Sequence, residues 1–187
     1  MKKTVLITVF AILAASVNVI AQADTNEGSH SVSISIPQVA LLDLEGTSSF
    51  TLEPTPPAEA GNPFDFSTAT NNNVWINYSS IVASGSTRTV SASITTGTIP
   101  SGLELKVTTG SASATGNGTK GSPSSQITLS GTAQTIISGI ESCWTGNGAS
   151  NGHNLTYQLD LTGAANYGLL VETNPSVTVT YTITDVD

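Results

Sequence analysis

Apolar and polar residues alternate with a period of two along most of this chain. Val32, Ile34 and Ile36 fall on one side of an extended segment, and Ser31, Ser33 and Ser35 fall on the other. Pro37 then interrupts that ladder, because proline has no N–H to give. Val39 to Leu44 is more continuously apolar and reads as a second half of the same strand, buried on both faces. Ser49–Leu52 reads as a short strand, and the proline-rich stretch from Glu53 to Asn62 as an irregular loop. Alternation resumes at Val74/Ile76/Tyr78, Val90/Ala92/Ile94, Leu103/Leu105/Val107 and Leu155/Tyr157/Leu159/Leu161. It ends with Val177/Val179/Tyr181/Ile183, whose intervening positions are all threonine. Ile127 with Leu129, and Ile136 with Ile137 and Ile140, mark two further short strands.

A period of two places one side of each segment in a core and the other in water. No window carries an apolar i, i+3, i+4, i+7 stripe with helix caps. The strands must therefore pair antiparallel, since parallel pairing needs helical crossovers. About eight to ten short strands with turns between them predict an all-β fold, an antiparallel two-sheet β-sandwich of immunoglobulin-like type. A second sheet gives the first something to bury its apolar face against. Ser111–Ser125 and Cys143–His153 read as glycine-rich loops, where Gly and Asn supply positive φ. Neither is a phosphate cradle, because no Gly-Lys-Ser/Thr follows.

The first residues change the picture of where the protein works. Lys2 and Lys3 precede an apolar run from Val5 to Ile20, and Ala21-Gln22-Ala23 supplies small residues for cleavage. These three parts predict a signal peptide over 1–23, removed before Asp24, and one β-sandwich domain over 24–187. The run is too short and interrupted to cross about 30 Å of hydrocarbon, and no later run is long enough. The expected location is the periplasm, cell surface or extracellular space, with no transmembrane anchor in the mature chain.

The mature region holds Arg88, Lys106 and Lys120 against thirteen acids, a net charge of −10. Nucleic acid and anionic lipid as partners are excluded by that balance, since both need phosphate charge neutralised. Cys143 is the lone cysteine, so no internal disulfide exists. It reads as a buried small hydrophobe, or alternatively as an intermolecular disulfide. A Cys143–His153 nucleophile pair has no motif behind it. His30 and His153 are far apart, no calcium loop occurs, and no Gly-x-Ser-x-Gly elbow occurs, so no metal, cofactor or catalytic residue is assigned. Trp75, Tyr78, Trp144 and Tyr167 are the aromatics available for stacking a sugar. Trp75 and Tyr78 project from opposite faces of one strand and cannot share a platform. Trp144, Asn147, Asn151 and His153, in a Gly/Asn loop, are the candidate ligand-binding residues.

Three functional readings follow. The first is a non-enzymatic structural, adhesive or surface-assembly protein whose partners are itself or other surface proteins. The second is a carbohydrate-binding module using Trp144 and its loop, with glycans as partners. The third is a pilin-like subunit in which Ser31–Ile36 donates a strand to the next subunit, although as strand A of its own sandwich that segment has a simpler role.

The stretches SHSVSISIPQVALLDLE, IISGIESCWTGNGASNGHNLTY and VTVTYTITD resemble a set of small exported proteins from Bacteroidetes-type Gram-negative bacteria. The resemblance implies an exported β-sandwich over most of the mature region and brings no activity or functional residue with it.

Overall fold

The structure is a computed structural model that describes residues 26–186; the predicted signal peptide lies outside the described residues. Nine strands follow one another in the chain: β1 (Val39–Gly46), β2 (Thr70–Ile81), β3 (Thr87–Thr96), β4 (Leu103–Ala112), β5 (Asn117–Pro123), β6 (Ile127–Thr128), β7 (Gln134–Trp144), β8 (His153–Leu161) and β9 (Thr178–Val186). Short 3-10 turns cover Phe66–Thr68 and Ala164–Leu169. Every strand pair is antiparallel, in the order β6-β4-β8-β2-β7-β3-β9, with β1 on β2 and β5 on β7. The all-β antiparallel expectation is met.

Alternation becomes a core. Val74, Ile76 and Tyr78 of β2, Val90 and Ala92 of β3, Leu105 and Val107 of β4, Leu155 and Tyr157 of β8 and Tyr181 of β9 form one buried cluster. Burying aliphatic side chains of this size stabilises by about 1.5–3 kcal/mol each. Ile136, Ile137 and Ile140 are all wholly buried too, although their spacing is not two. The register of β3 against β7 shifts on both sides of Val90, so extra residues of β7 are accommodated as bulges. A bulge lets two residues oppose one and turns the next side chain back inward. Gly139 takes φ +68 within this stretch.

Two expectations about the N-terminal half are corrected. Ser31–Ile36 is not strand A of the sheet: among the described residues it is assigned to no strand, and β1 begins at Val39. The β1–β2 ladder starts with Val39 opposite Ile81, the last residue of β2. Ser49–Leu52 is likewise no strand. Phe50 instead lies tilted on Tyr157, with ring centroids 5.1 Å apart, and Leu52 packs against the core. Hydrophobic anchoring holds this segment without a ladder, apart from the isolated Thr55–Asp65 bridge.

The stretch Ser111–Ser125 is not a loop throughout, because Asn117–Pro123 forms β5 along β7. Its glycines are what allow the approach. A Cβ on Gly118 (φ +84) would come within 2.8 Å of Cys143 Cα, and one on Gly121 (φ +73) within 2.8 Å of Ile140 Cγ1. A composition that reads as flexible linker is here a strand pressed onto its neighbour.

Candidate functional site

Strand register sorts the aromatic candidates by face. Leu41 of β1 sits opposite Ser79 of β2, Ser79 opposite Trp144 of β7, and Trp144 opposite Asn117 of β5. Directly opposed residues project from the same face, so these four form a row across four strands. Asp43 opposite Asn77 is the next rank along the same face, and Glu45 opposite Trp75 the one after. Tyr78 has the opposite parity and is buried, as its alternation with Trp75 requires.

Leu41, Ser79 and Trp144 shape an open cleft of about 370 Å³, bounded further by Asp43, Asn77 and Asn147. Trp144 is 53% exposed and Leu41 65%. The Asp43 carboxylate is steadied by its own neighbour, whose N–H donates to Oδ1 at 2.8 Å. The wall that carries Asn147 is pinned from below. Thr145 is wholly buried; its N–H donates to the Tyr78 carbonyl at 3.1 Å, and its Oγ1 accepts from the Tyr78 N–H at 3.0 Å. Asn77 Nδ2 donates to the Gly148 carbonyl at 2.9 Å, and Asn151 Nδ2 to the Asn147 carbonyl at 2.6 Å. A Cβ on Gly152 would lie 2.4 Å from Asn77 Oδ1, so only glycine closes this loop onto β2.

The five candidates named from the sequence therefore separate. Trp144 and Asn147 line the cleft. Asn151 braces the loop by its bond to Asn147. His153 is wholly buried on the core side of β8 and does not face the cleft. Cys143 is buried in the core cluster, the place expected of a small hydrophobe.

His153 is the centre of an internal polar knot that alternation alone does not reveal. Its Nδ1 lies 2.8 Å from the Gly110 carbonyl, which only accepts, so Nδ1 carries the proton. Its Nε2 lies 2.8 Å from the Tyr78 hydroxyl and accepts from it when the ring is neutral. The Lys120 carbonyl faces both groups and competes with Nε2 for the single Tyr78 hydroxyl proton. The Tyr78 and His153 rings stack at 5.8 Å. Burial pushes the imidazole pKa below its usual 6.5, and the nearby Lys120 ammonium pushes the same way, against the two carbonyls. Burial also pushes the Cys143 thiol up, so it stays protonated at neutral pH. With both imidazole nitrogens engaged elsewhere, this is structural chemistry rather than a thiolate–imidazole pair.

Arg88 is a second buried polar group, and the sequence offered only its charge. It projects from β3 opposite Asp185 of β9, and its Nε donates to that carboxylate at 2.7 Å. Its Nη1 donates to the Val39 carbonyl, to Ser80 Oγ at 3.1 Å and to the Ile81 carbonyl at 3.2 Å. One guanidinium thus ties the start of β1, the end of β2 and the end of β9 together.

Ser31–Ile36, by itself, is the other feature that stands out. Val32, Ile34 and Ile36 are 72%, 85% and 75% exposed. Scattered exposed apolar residues are ordinary, but three in strand alternation on an unpaired segment are not. Among the described residues, no three His, Cys, Asp or Glu side chains gather as a metal site, and no helix is long and apolar enough to cross a membrane. Compared with protein-family models, curated proteins and solved structures, the chain matches none.

Proposed function

We propose that this is an exported, non-enzymatic surface-assembly protein in which one copy donates Ser31–Ile36 as a strand to the sheet of the next. The observation that carries this reading is the exposed, unpaired Val32-Ile34-Ile36 alternation. β9 is the complementary partner. It ends the strand order, so among the described residues no strand pairs with its second edge. Its Val179, Tyr181 and Ile183 face the core while Thr178, Thr180, Thr182 and Thr184 face out. A donor with apolar and serine positions in the same period of two continues both faces at once. The N-terminal charge and apolar run support export.

On this reading the sheet is a two-layer sandwich of immunoglobulin-like type. One layer is β6-β4-β8-β2-β1 and the other β5-β7-β3-β9, joined where β2 and β7 meet at only two residue pairs. The test is the solution mass by light scattering over a wide concentration range, with and without reductant. Oligomers that grow with concentration and vanish in Ile34→Asp support strand donation. A one-chain mass at every concentration sinks it, and a dimer lost on reduction assigns the contact to Cys143 instead.

A further inference from the structure

The cleft on the β1–β2–β7 face has a chemistry of its own, independent of how subunits join. Neighbouring strands lie about 4.8 Å apart, so Leu41 and Trp144, one strand to either side of Ser79, have Cα atoms roughly 10 Å apart. A small residue between two large ones makes a groove with a low polar floor and two apolar walls. Asp43 and Asn147 stand at its rim. The volume, about 370 Å³, lies in the range of small-ligand sites.

Three observations narrow the ligand. An extended peptide would seek backbone partners, but β2 is flanked by β1 on one edge and by β8 and β7 on the other. The groove floor therefore offers side chains and not a free strand edge. An anionic ligand would need a cation, and each Lys and Arg among the described residues is engaged elsewhere. Arg88 is in its buried knot, Lys106 bridges Glu104 and Asp160, and Lys120 Nζ donates to the carbonyls of Ser113 and Thr115. Asp43 repels anions besides. A quaternary ammonium ion is best held between several aromatic faces, and Trp144 is the one exposed aromatic lining the groove. What remains is a flat indole for a ring with an apolar face, and carboxylate, amide and hydroxyl groups for a ring with hydroxyls.

We infer that this groove binds a neutral carbohydrate, with one sugar face stacked on Trp144 and its hydroxyls bonded to Asp43 and Asn147. The pinned loop under Asn147 holds the rim in place before the ligand arrives, which lowers the ordering cost of binding. Trp75, on the same face and four residues along β2 from Ser79, stands roughly 13 Å away at about 3.3 Å per residue. It is half-buried, and a longer oligosaccharide would run towards it.

The full chain is titrated calorimetrically with cellohexaose, maltohexaose, mannohexaose and N-acetylated chitohexaose, with heparin and tetramethylammonium as charged comparators. Saturable heat with at least one neutral sugar is expected, weakened at least about tenfold in Trp144→Ala, as for a central aromatic anchor. Ser79→Leu fills the groove floor while leaving the indole in the protein, and should abolish the same heat. Circular dichroism and urea midpoints establish that both variants fold; if one does not, the other decides. The inference is overturned if no neutral sugar binds at millimolar concentration, if neither folded variant weakens binding, or if only a charged comparator binds.

Discussion

The segments Ser31–Ile36 and Val177–Ile183 carry the same alternation and meet opposite fates. The second becomes β9 along the whole of β3, with Tyr181 buried and its hydroxyl bonded to that of Tyr157. The first forms no strand among the described residues and leaves three large aliphatic side chains exposed. Period two states that a segment is built to lie on a sheet. It does not state that a free edge lies within reach. Val177–Ile183 meets β3; the β1–β2 ladder starts only at Val39.

The largest expected effect separates these two fates directly. Tyr181→Ala removes a buried ring and leaves the Tyr157 hydroxyl without its partner, and should cost about 3–5 kcal/mol in urea unfolding. Ile34→Ala, which truncates an exposed aliphatic, should stay within about 0.5 kcal/mol in dilute protein. Equal losses would mean that Ser31–Ile36 is held in the fold after all.

Arg88→Ala should come next, at about 3 kcal/mol, because the Val39 and Ile81 carbonyls lose a buried donor. Asp185→Asn should cost less than about 1 kcal/mol, since its carboxylate is 59% exposed and solvent screens the pair. A result in the reverse order would mean that the ion pair, and not the carbonyl clamp, carries most of what Arg88 contributes.

His153 makes a pH-dependent contribution to the core that β9 is built on. Its folded pKa lies below 6.5, so between those two values the unfolded chain binds the extra proton. Stability from this group is therefore complete above about pH 6.5 and falls as pH drops below it. Urea midpoints at pH 8 and pH 5.5 should differ more for the wild type than for His153→Gln. A pH response unchanged by the substitution would remove His153 as its source. The smallest effect is local: amides of residues 31–36 should exchange with solvent deuterium in seconds at neutral pH, whereas those of Thr180 and Thr182 should be protected.

The candidate site was legible in pieces. Trp144 stood out because a tryptophan among Gly and Asn is poorly placed for a core, and it is exposed. Trp75 was separated from Tyr78 by parity. That Trp75 shares a face with Trp144, and that Leu41 forms the opposite wall, was not readable, because three strands distant in sequence must first be put in register. His153 looked like a loop ligand for the same reason. It is the first residue of β8, and parity there follows Leu155 into the core.

The sequence by itself determined the all-β class, the antiparallel pairing and the inward face of β2, β3, β4, β8 and β9. Alternation is a local property of consecutive side chains, and burial selects it strand by strand. Only the tertiary structure decided that a glycine-rich stretch becomes β5, that bulges turn Ile136, Ile137 and Ile140 all inward, and that Ser31–Ile36 joins no strand among the described residues. Those outcomes depend on which edges the rest of the chain leaves open and how closely two backbones approach, and neither quantity exists until distant strands have met.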